Sequence, residues 1–415
     1  MENLRKISAR IIAALFTAQS LTSAGTAAMA AVLAIVAVEL SGKASWAGVP
    51  NSLLQLAAAG SAFWFGYLWE RIGRRYGIAL GLGMGAVGLY FMFTAVQSGN
   101  FWVLLAGVIG AGFARSAMQL ARFTAADISP PDQRGRAISY VVLGGTVGAV
   151  AGPLIADPAN NFGKSLGFAE WSGPIGAAAL LFAVAALVVY LGLQPEPSQI
   201  ANQMDTLYPE KEEAERNIRG LLEIMRQPAV LTATVTMAIS QMVMIMVMGI
   251  TSLHMKVLSH ELGAISRVFS AHMIGMFAFS IFTGQLADRW GRVPVILTGI
   301  GVLMASFILA PMFPTALMLG ISLYLLGLGW NLCFVGGSAL LSDQLTRGER
   351  ARTQGFNDLF LGLASALGSL VAGWIFDGGG YGALNATAAV LTLLPLVLLG
   401  WWFMMKRRAV SVGLD

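Results

Sequence analysis

Four side chains in the second half of the sequence have the types and the spacing of a soft-metal site. Met244 and Met248 are four residues apart, and so are His272 and Met276. Residues four apart on a helix lie on one face, one turn from each other. Thioether sulfur together with imidazole nitrogen is a ligand set that selects Cu(I) over hard cations. The two pairs therefore predict a transient copper site, provided that the helices carrying them are neighbours.

Two apolar segments of membrane-spanning length carry these pairs. The first runs over about 229–254 and the second over about 264–286, with a short outer loop between them. In antiparallel neighbours Met248 would lie at the depth of His272, and the other two ligands would match one turn further in. Packing is the competing explanation, because methionine fills irregular gaps and the first segment contains three further methionines.

The composition is that of a membrane protein with many spans. Hydrophobic residues make up 56% of the 415 residues and charged residues 11%, whereas soluble domains contain about 25% charged residues. Apolar blocks of about 20 residues recur along the chain, which is the length that crosses a bilayer. Twelve spans are expected, at 11–38, 46–69, 77–96, 101–126, 137–156, 174–193, 229–254, 264–286, 294–312, 315–341, 353–376 and 383–405.

The distribution of basic residues predicts the orientation. With twelve spans, most of the 26 Lys and Arg residues fall in loops on one side, and the positive-inside rule makes that side and both termini cytoplasmic. This topology accounts for the net charge of +5, so no nucleic-acid partner is expected. Three histidines, one cysteine and no phosphate-binding loop leave no catalytic set, so the chain is not expected to be an enzyme.

The chain divides into two bundles joined by a linker. We expect a first six-helix bundle at 1–193, a cytoplasmic linker at 194–227, a second bundle at 228–405 and a cytoplasmic tail at 406–415. The linker is rich in proline and charge at its start and centre. Its later part, 208–225, has the pattern of an amphipathic surface helix.

Charged loops recur in the two bundles at nearly the same separation. The repeated positions are Gly66, Glu70, Arg71, Arg74 and Asp127 in the first bundle, and Gly284, Asp288, Arg289, Arg292 and Asp343 in the second. Such internal repetition is typical of duplicated transporters. The fold class is therefore an all-α membrane protein of twelve transmembrane helices in two pseudo-symmetric six-helix bundles.

The loops after spans 2 and 8 resemble the Gly-x-x-x-Asp-Arg-x-Gly-Arg signature of the major facilitator superfamily, with Glu70 in place of the first aspartate. The resemblance implies the major facilitator fold. It also implies that the repeated residues form a latch that closes the cytoplasmic side. The acids Glu70 and Asp288 are expected to meet the positive N-termini of helices in the opposite bundle.

The basic residues of the latch have expected partners within their own bundle. Arg74 should pair with Asp127, and Arg292 with Asp343.

Polar residues inside the spans are further candidates for a wet cavity. Arg115 and Arg122 lie seven apart on one face of span 4, and a charge at that depth is costly unless it faces water or a partner. Asn331 is the repeat mate of Arg115 and is expected to face the cavity. Asp358 in span 11 could titrate during transport or pair with the latch arginines. Gly148 and Pro153 in span 5 partly match a drug/proton antiporter motif, with helix packing as the simpler explanation.

The two Met and His pairs also resemble the motifs of the CcoA-like bacterial copper importers. That resemblance implies import of copper through the bacterial inner membrane, with Met244, Met248, His272 and Met276 as relay ligands. Copper would be the cargo rather than a resident cofactor, and a monomer in the lipid bilayer would suffice.

The copper-importer group also contains riboflavin importers, so an organic-solute carrier stays open, either a riboflavin importer or a drug/proton antiporter. A scaffold without transport activity is a third alternative.

Overall fold

The chain is built almost entirely of helices. A computed structural model describes residues 2–131, 133–208 and 219–412, with a few helical side chains left out. The helices are α1 Glu2–Ser41, α2 Val49–Ile72, α3 Arg74–Ser98, α4 Phe101–Asp127, α5 Arg134–Ser165, α6 Ser172–Gly192, α7 Pro197–Leu207, α8 Leu221–Met225, α9 Pro228–Val257, α10 Leu262–Phe277, α11 Ser280–Trp290, α12 Arg292–Met312, α13 Ala316–Asp343, α14 Arg347–Thr392 and α15 Leu394–Val412.

The lengths and hydropathies of these helices are those of a multi-pass membrane protein. Among the described residues, ten segments are long and apolar enough to cross a bilayer. The last of them, Gly348–Met405, contains two of the expected spans. The predicted all-α fold is confirmed, and most of its boundaries lie within a few residues of the expected ones.

Several spans differ in detail from the sequence expectation. Span 5 continues nine residues further, to Ser165, although hydropathy falls after Ala156. Span 8 is divided into α10 and α11 by a break at 278–279. The expected loop between spans 11 and 12 is helical apart from Gly380, whose φ of 70° and ψ of −168° change the direction of the chain. Hydropathy reports where apolar side chains stop, whereas a helix can continue into polar sequence.

Where the linker is described, the predicted helix over 208–225 is confirmed only at 221–225 and is wrong at 208, 219 and 220. α7 ends at Leu207, and α8 contains five residues. Arg219 and Gly220 between them are not helical. Arg219 is instead bound by Glu349, whose side chain is buried at the start of α14, through Arg219 Nε at 2.7 Å and Nη2 at 2.7 Å. Residues 209–218, with the charged run, lie outside the described part.

The chain forms two compact units, one of Met1–Glu212 with His260–Ser270 and the other of Glu213–Ser259 with Ala271–Asp415. In the first unit α1 packs on α5 and α6, and α3 packs on α4. In the second unit α9 packs on α14 and α13, and α12 packs on α13. The pairs α1–α5 and α3–α4 of the first unit therefore correspond to α9–α14 and α12–α13 of the second, as the repeated loops predict.

Gly380 provides a test of the bend before the last span. Gly380→Ala should destabilise the protein by about 1–3 kcal/mol, because this backbone region is essentially restricted to glycine. Thermal unfolding in detergent measures the effect. Gly378→Ala is the matched control, since both positions have open space around an added methyl group and only Gly380 has a positive φ. An equal response of the two variants would contradict the role assigned to φ.

Candidate functional site

The four predicted metal ligands are buried within the second unit. Relative exposure is 2% for Met244, 8% for Met248, 0% for His272 and 8% for Met276. They belong to α9 and α10, and α13 contacts both helices. The position of each ligand can therefore be read from what its helix touches on α13.

α9 packs antiparallel against α13. Trp330 Nε1 donates a hydrogen bond to Gln241 Oε1 at 2.7 Å. Further toward the start of α9, a methyl group at Gly337 would lie 2.7 Å from Met237 Cγ. Met244 is two turns after Met237 and continues this face. The methionines Met242 and Met246 instead lie against Gly368 of α14, so the methionines of α9 cover more than one face, as expected.

α10 packs parallel to α13 at very close range. A methyl group at Gly327 would collide with the His272 carbonyl oxygen, and one at Gly275 would collide with the Tyr324 carbonyl oxygen. The absence of side chains at these two glycines lets the backbones approach as closely as small residues allow in membrane helices. The turn that carries His272 and Met276 is thereby held against α13.

The His272 ring is fixed by one hydrogen bond. Its Nδ1 lies 2.8 Å from the Leu323 carbonyl oxygen. A carbonyl can only accept, so Nδ1 carries the proton, and in the neutral ring Nε2 has a free lone pair. Nε2 is buried and has no hydrogen-bond partner among the described residues. Metal-binding histidines commonly have this arrangement, in which the second ring nitrogen donates to a backbone carbonyl.

The contacts with α13 also give the relative levels of the two pairs. Met248 lies about two turns beyond Gln241, and therefore near the level of Leu323, which is also the level of His272. Met244 and Met276 both fall near Gly327 by the same reasoning. The expected match in level therefore follows from the packing. Convergence of the four side chains on one point stays a prediction.

Asn331 differs from its expected position in the cavity. Its side chain is 2% exposed. Its Oδ1 accepts from Thr283 Oγ1 at 2.6 Å, and its Nδ2 donates to the Met276 carbonyl at 2.7 Å and to Ser280 Oγ at 2.8 Å. The repeat relation predicted where this residue lies along the span. It could not predict that the Asn331 amide is hydrogen-bonded to residues around a break in the neighbouring helix.

The expected ion pairs of the charged loops are confirmed within each unit. Arg74 Nη1 lies 2.5 Å from Asp127 Oδ2, and Arg292 Nε lies 3.0 Å from Asp343 Oδ2. Arg292 also binds Asp288 at 2.7 Å.

Other latch residues have less defined surroundings. Arg71 and Arg289 are exposed, and Gly284 has open space around it. The side chains at Gly66 and Glu70 lie outside the description. The contacts expected between bundles stay predictions.

Sequence reasoning missed Glu196 as a member of the first charged loop. Its Oε1 accepts from the backbone N–H of Arg74 at 2.6 Å and of Arg75 at 3.2 Å. It therefore caps the positive N-terminus of α3 with a carboxylate from the segment after span 6. The only sequence signal is an acid between Pro195 and Pro197, which does not specify a partner.

The remaining polar candidates are placed as follows. Arg115 is partly buried within α4, and the guanidinium of Arg122 lies 5.1 Å from the Phe123 ring centroid. Asp358 is exposed and accepts from Gln354 Nε2 at 2.9 Å. A coupling role for these residues stays a prediction.

Span 5 packs closely on span 1 through the partial antiporter motif. A methyl group at Gly148 would collide with the Ser20 carbonyl, and one at Gly152 with the Ala24 carbonyl. Helix packing therefore accounts for these glycines.

A multi-pass helical protein with duplicated six-helix packing and repeated charged loops has the architecture of a secondary transporter. The sequence profile of the Major Facilitator Superfamily matches residues 15–266 and 237–413. The chain belongs to this superfamily.

Relatives extend the likeness over nearly the whole chain. The MFS-type transporter YdeG of Bacillus subtilis is 30% identical over 96% of this chain and 93% of its own length. The riboflavin transporter RfnT of Brucella anthropi is 28% identical over 94% of this chain and 95% of its own length.

Solved transporter structures share the fold at low sequence identity. An inward-facing bacterial homolog of the human lysosomal transporter Spinster superposes with a TM-score of 0.72 at 16% identity, over 98% of each chain. The nucleoside transporter NupG gives a TM-score of 0.73 at 15% identity, over 95% of this chain and 99% of its own. At these identities the comparison supports the fold alone.

Close contact between α10 and α13 can be tested at Gly327. Gly327→Ala should lower stability by about 1–3 kcal/mol, because overpacking forces backbone shifts, and these shifts should displace His272. Thermal unfolding of the purified protein measures the change. Gly249→Ala on α9 is the control, because no atom lies within 4 Å of the added methyl group. A fully stable Gly327→Ala variant would contradict the close approach.

Proposed function

We propose that this transporter carries copper as Cu(I) into the bacterial cytoplasm. The observation that carries the proposal is the buried, unpartnered Nε2 of His272, whose tautomer is set by the Leu323 carbonyl. A buried polar atom without a partner is costly, and a ligand that uses its lone pair removes that cost. Among described residues, the neighbouring side chain one turn along α10 is the thioether of Met276.

The chemistry of the donor set favours a soft monovalent ion. Met244 and Met248 are buried at the levels of the α10 pair, and sulfur with imidazole suits Cu(I) better than the hard cations that require oxygen ligands. Sites of two or three such ligands can release the ion, whereas a closed cage of four would retain it. Met248 and His272 lie at the outer level, and Met244 and Met276 lie one turn further in. Transfer from the outer level to the inner level while the bundles rock would move copper through the protein.

The surroundings of the transporter are inferred from sequence and relatives. Bacterial relatives and the positive-inside rule support the inner membrane with both termini cytoplasmic. A monomer is sufficient for this mechanism, and no resident cofactor is invoked. The driving force would be an ion gradient or the downhill supply of copper.

An organic cargo such as riboflavin is the second candidate. The likeness to RfnT over most of both chains favours it. Trp330 and Phe334 stack with ring centroids 4.9 Å apart, and Phe277 lies 6.4 Å from Trp330. Such an aromatic cluster could hold a flat ring system. The multidrug resistance protein MdtL of Escherichia coli matches only 25% of this chain, which gives less support to a drug cargo.

Uptake of radiolabelled copper under reducing conditions tests the proposal. Cells that express the native chain should accumulate copper. His272→Ala and Met248→Leu should lower the initial rate by at least about tenfold, because each removes a ligand. Met248→Leu keeps the side-chain volume, so its packing cost is small.

Met242→Leu is the matched control on the same helix, because this methionine packs against Gly368 of α14. It should retain copper uptake at an equal amount of protein in the membrane. Labelled riboflavin is measured in parallel. Riboflavin accumulation that is insensitive to Met248→Leu, without copper uptake, would contradict the copper proposal and establish the second candidate.

A further inference from the structure

Span 8 is interrupted at residues 278–279, and the break begins two residues after the proposed ligand Met276. Ala278 N donates to the Ile274 carbonyl at 2.9 Å, and the next regular bond runs from Thr283 N to the Phe279 carbonyl at 2.8 Å. In a continuous helix Ser280 N would donate to the Met276 carbonyl. The turn at 278–279 separates these two groups, so the Met276 carbonyl does not receive this helical bond.

Asn331 of α13 occupies this break with all of its hydrogen-bonding groups. One amide hydrogen goes to the Met276 carbonyl and another to Ser280 Oγ, while Oδ1 accepts from Thr283 Oγ1. The three partners lie on both sides of the interruption. In a bilayer a freed backbone group has to be satisfied within the protein, and Asn331 supplies the donor for the freed Met276 carbonyl.

We propose that Asn331 is a positioning residue, which sets the place of Met276 in the copper site by holding the interrupted turn of span 8 against span 10. The inference rests on the proposed function and deepens it. Asn331 does not touch the cargo. Asn331 instead holds the backbone carbonyl of Met276, and the thioether of Met276 is the group proposed to bind copper.

Two features support a role beyond general stability. Discontinuous membrane helices are typical of the substrate and ion sites of transporters, and this break begins two residues after Met276. On the preceding turn, His272 is held by a carbonyl of the same helix, α13. Span 10 thus fixes both ligands of span 8, His272 through its ring and Met276 through its backbone.

Copper affinity of Asn331→Leu tests the proposal. Leucine removes the three hydrogen bonds at similar volume. The apparent KM for copper uptake, and the Cu(I) dissociation constant of the purified protein against a colorimetric chelator, should both rise by about 10- to 100-fold, as when residues that support metal ligands are changed. The maximal rate per transporter should fall less than the affinity.

Asn385→Leu is the control for burying leucine in place of asparagine. Asn385 is 1% exposed and donates Nδ2 to the Tyr381 carbonyl at 2.8 Å. This variant should lose stability without a change in KM. Thr283→Val removes only the bond to Oδ1 and should raise KM by a smaller factor, which keeps the test decisive if Asn331→Leu does not fold.

The outcomes separate this inference from the proposed function. Native copper uptake that His272→Ala abolishes, with unchanged copper affinity in Asn331→Leu, would overturn the positioning role alone. If Asn331→Leu does not fold, unchanged affinity in Thr283→Val overturns it. A native protein that neither binds nor transports copper would overturn both. Equal increases of KM in Asn331→Leu and Asn385→Leu would show general destabilisation and also reject the inference.

Discussion

Close packing of span 8 on span 10 is the contact on which the candidate site depends. Gly275 and Gly327 allow the two backbones to approach until carbonyl oxygens occupy the space that side chains would fill. At this separation the Leu323 carbonyl reaches the His272 ring and the Asn331 amide reaches the Met276 carbonyl. A larger separation would lose both bonds, because hydrogen bonds weaken steeply with distance and angle.

A bilayer makes such contacts more consequential than they would be in a soluble protein. Water cannot satisfy a carbonyl freed in the hydrocarbon region, so an interrupted span persists only where neighbouring helices supply donors. Span 8 meets this condition at the Met276 carbonyl, which accepts from Asn331 of span 10. The hydroxyl groups of Ser280 and Thr283, in span 8 itself, bond the rest of the asparagine amide. In the interrupted turn the Met276 carbonyl binds Asn331, while its thioether is left for the proposed copper ion.

Duplication explains the helix packing that the two units share. The positions at which the units differ show where the proposed cargo site lies. Both units pair equivalent helices and hold an arginine of the charged loop with an aspartate after the fourth span. Arg115 in the first unit and Asn331 in the second occupy equivalent positions with different chemistry. The soft donors and the interrupted helix belong to the second unit. The proposed cargo site is therefore asymmetric although the scaffold is repeated.

The sequence by itself determined the helical fold, the repeat and the ion pairs Arg74–Asp127 and Arg292–Asp343, because hydropathy and charge spacing follow local chain geometry. It also placed the four soft side chains at matching levels. Only the tertiary structure decided which His272 nitrogen is free, that span 8 is interrupted and that Asn331 bridges the interruption. These features depend on which backbone carbonyls and glycines of span 10 face span 8, and residue spacing within one helix carries no information about that registry.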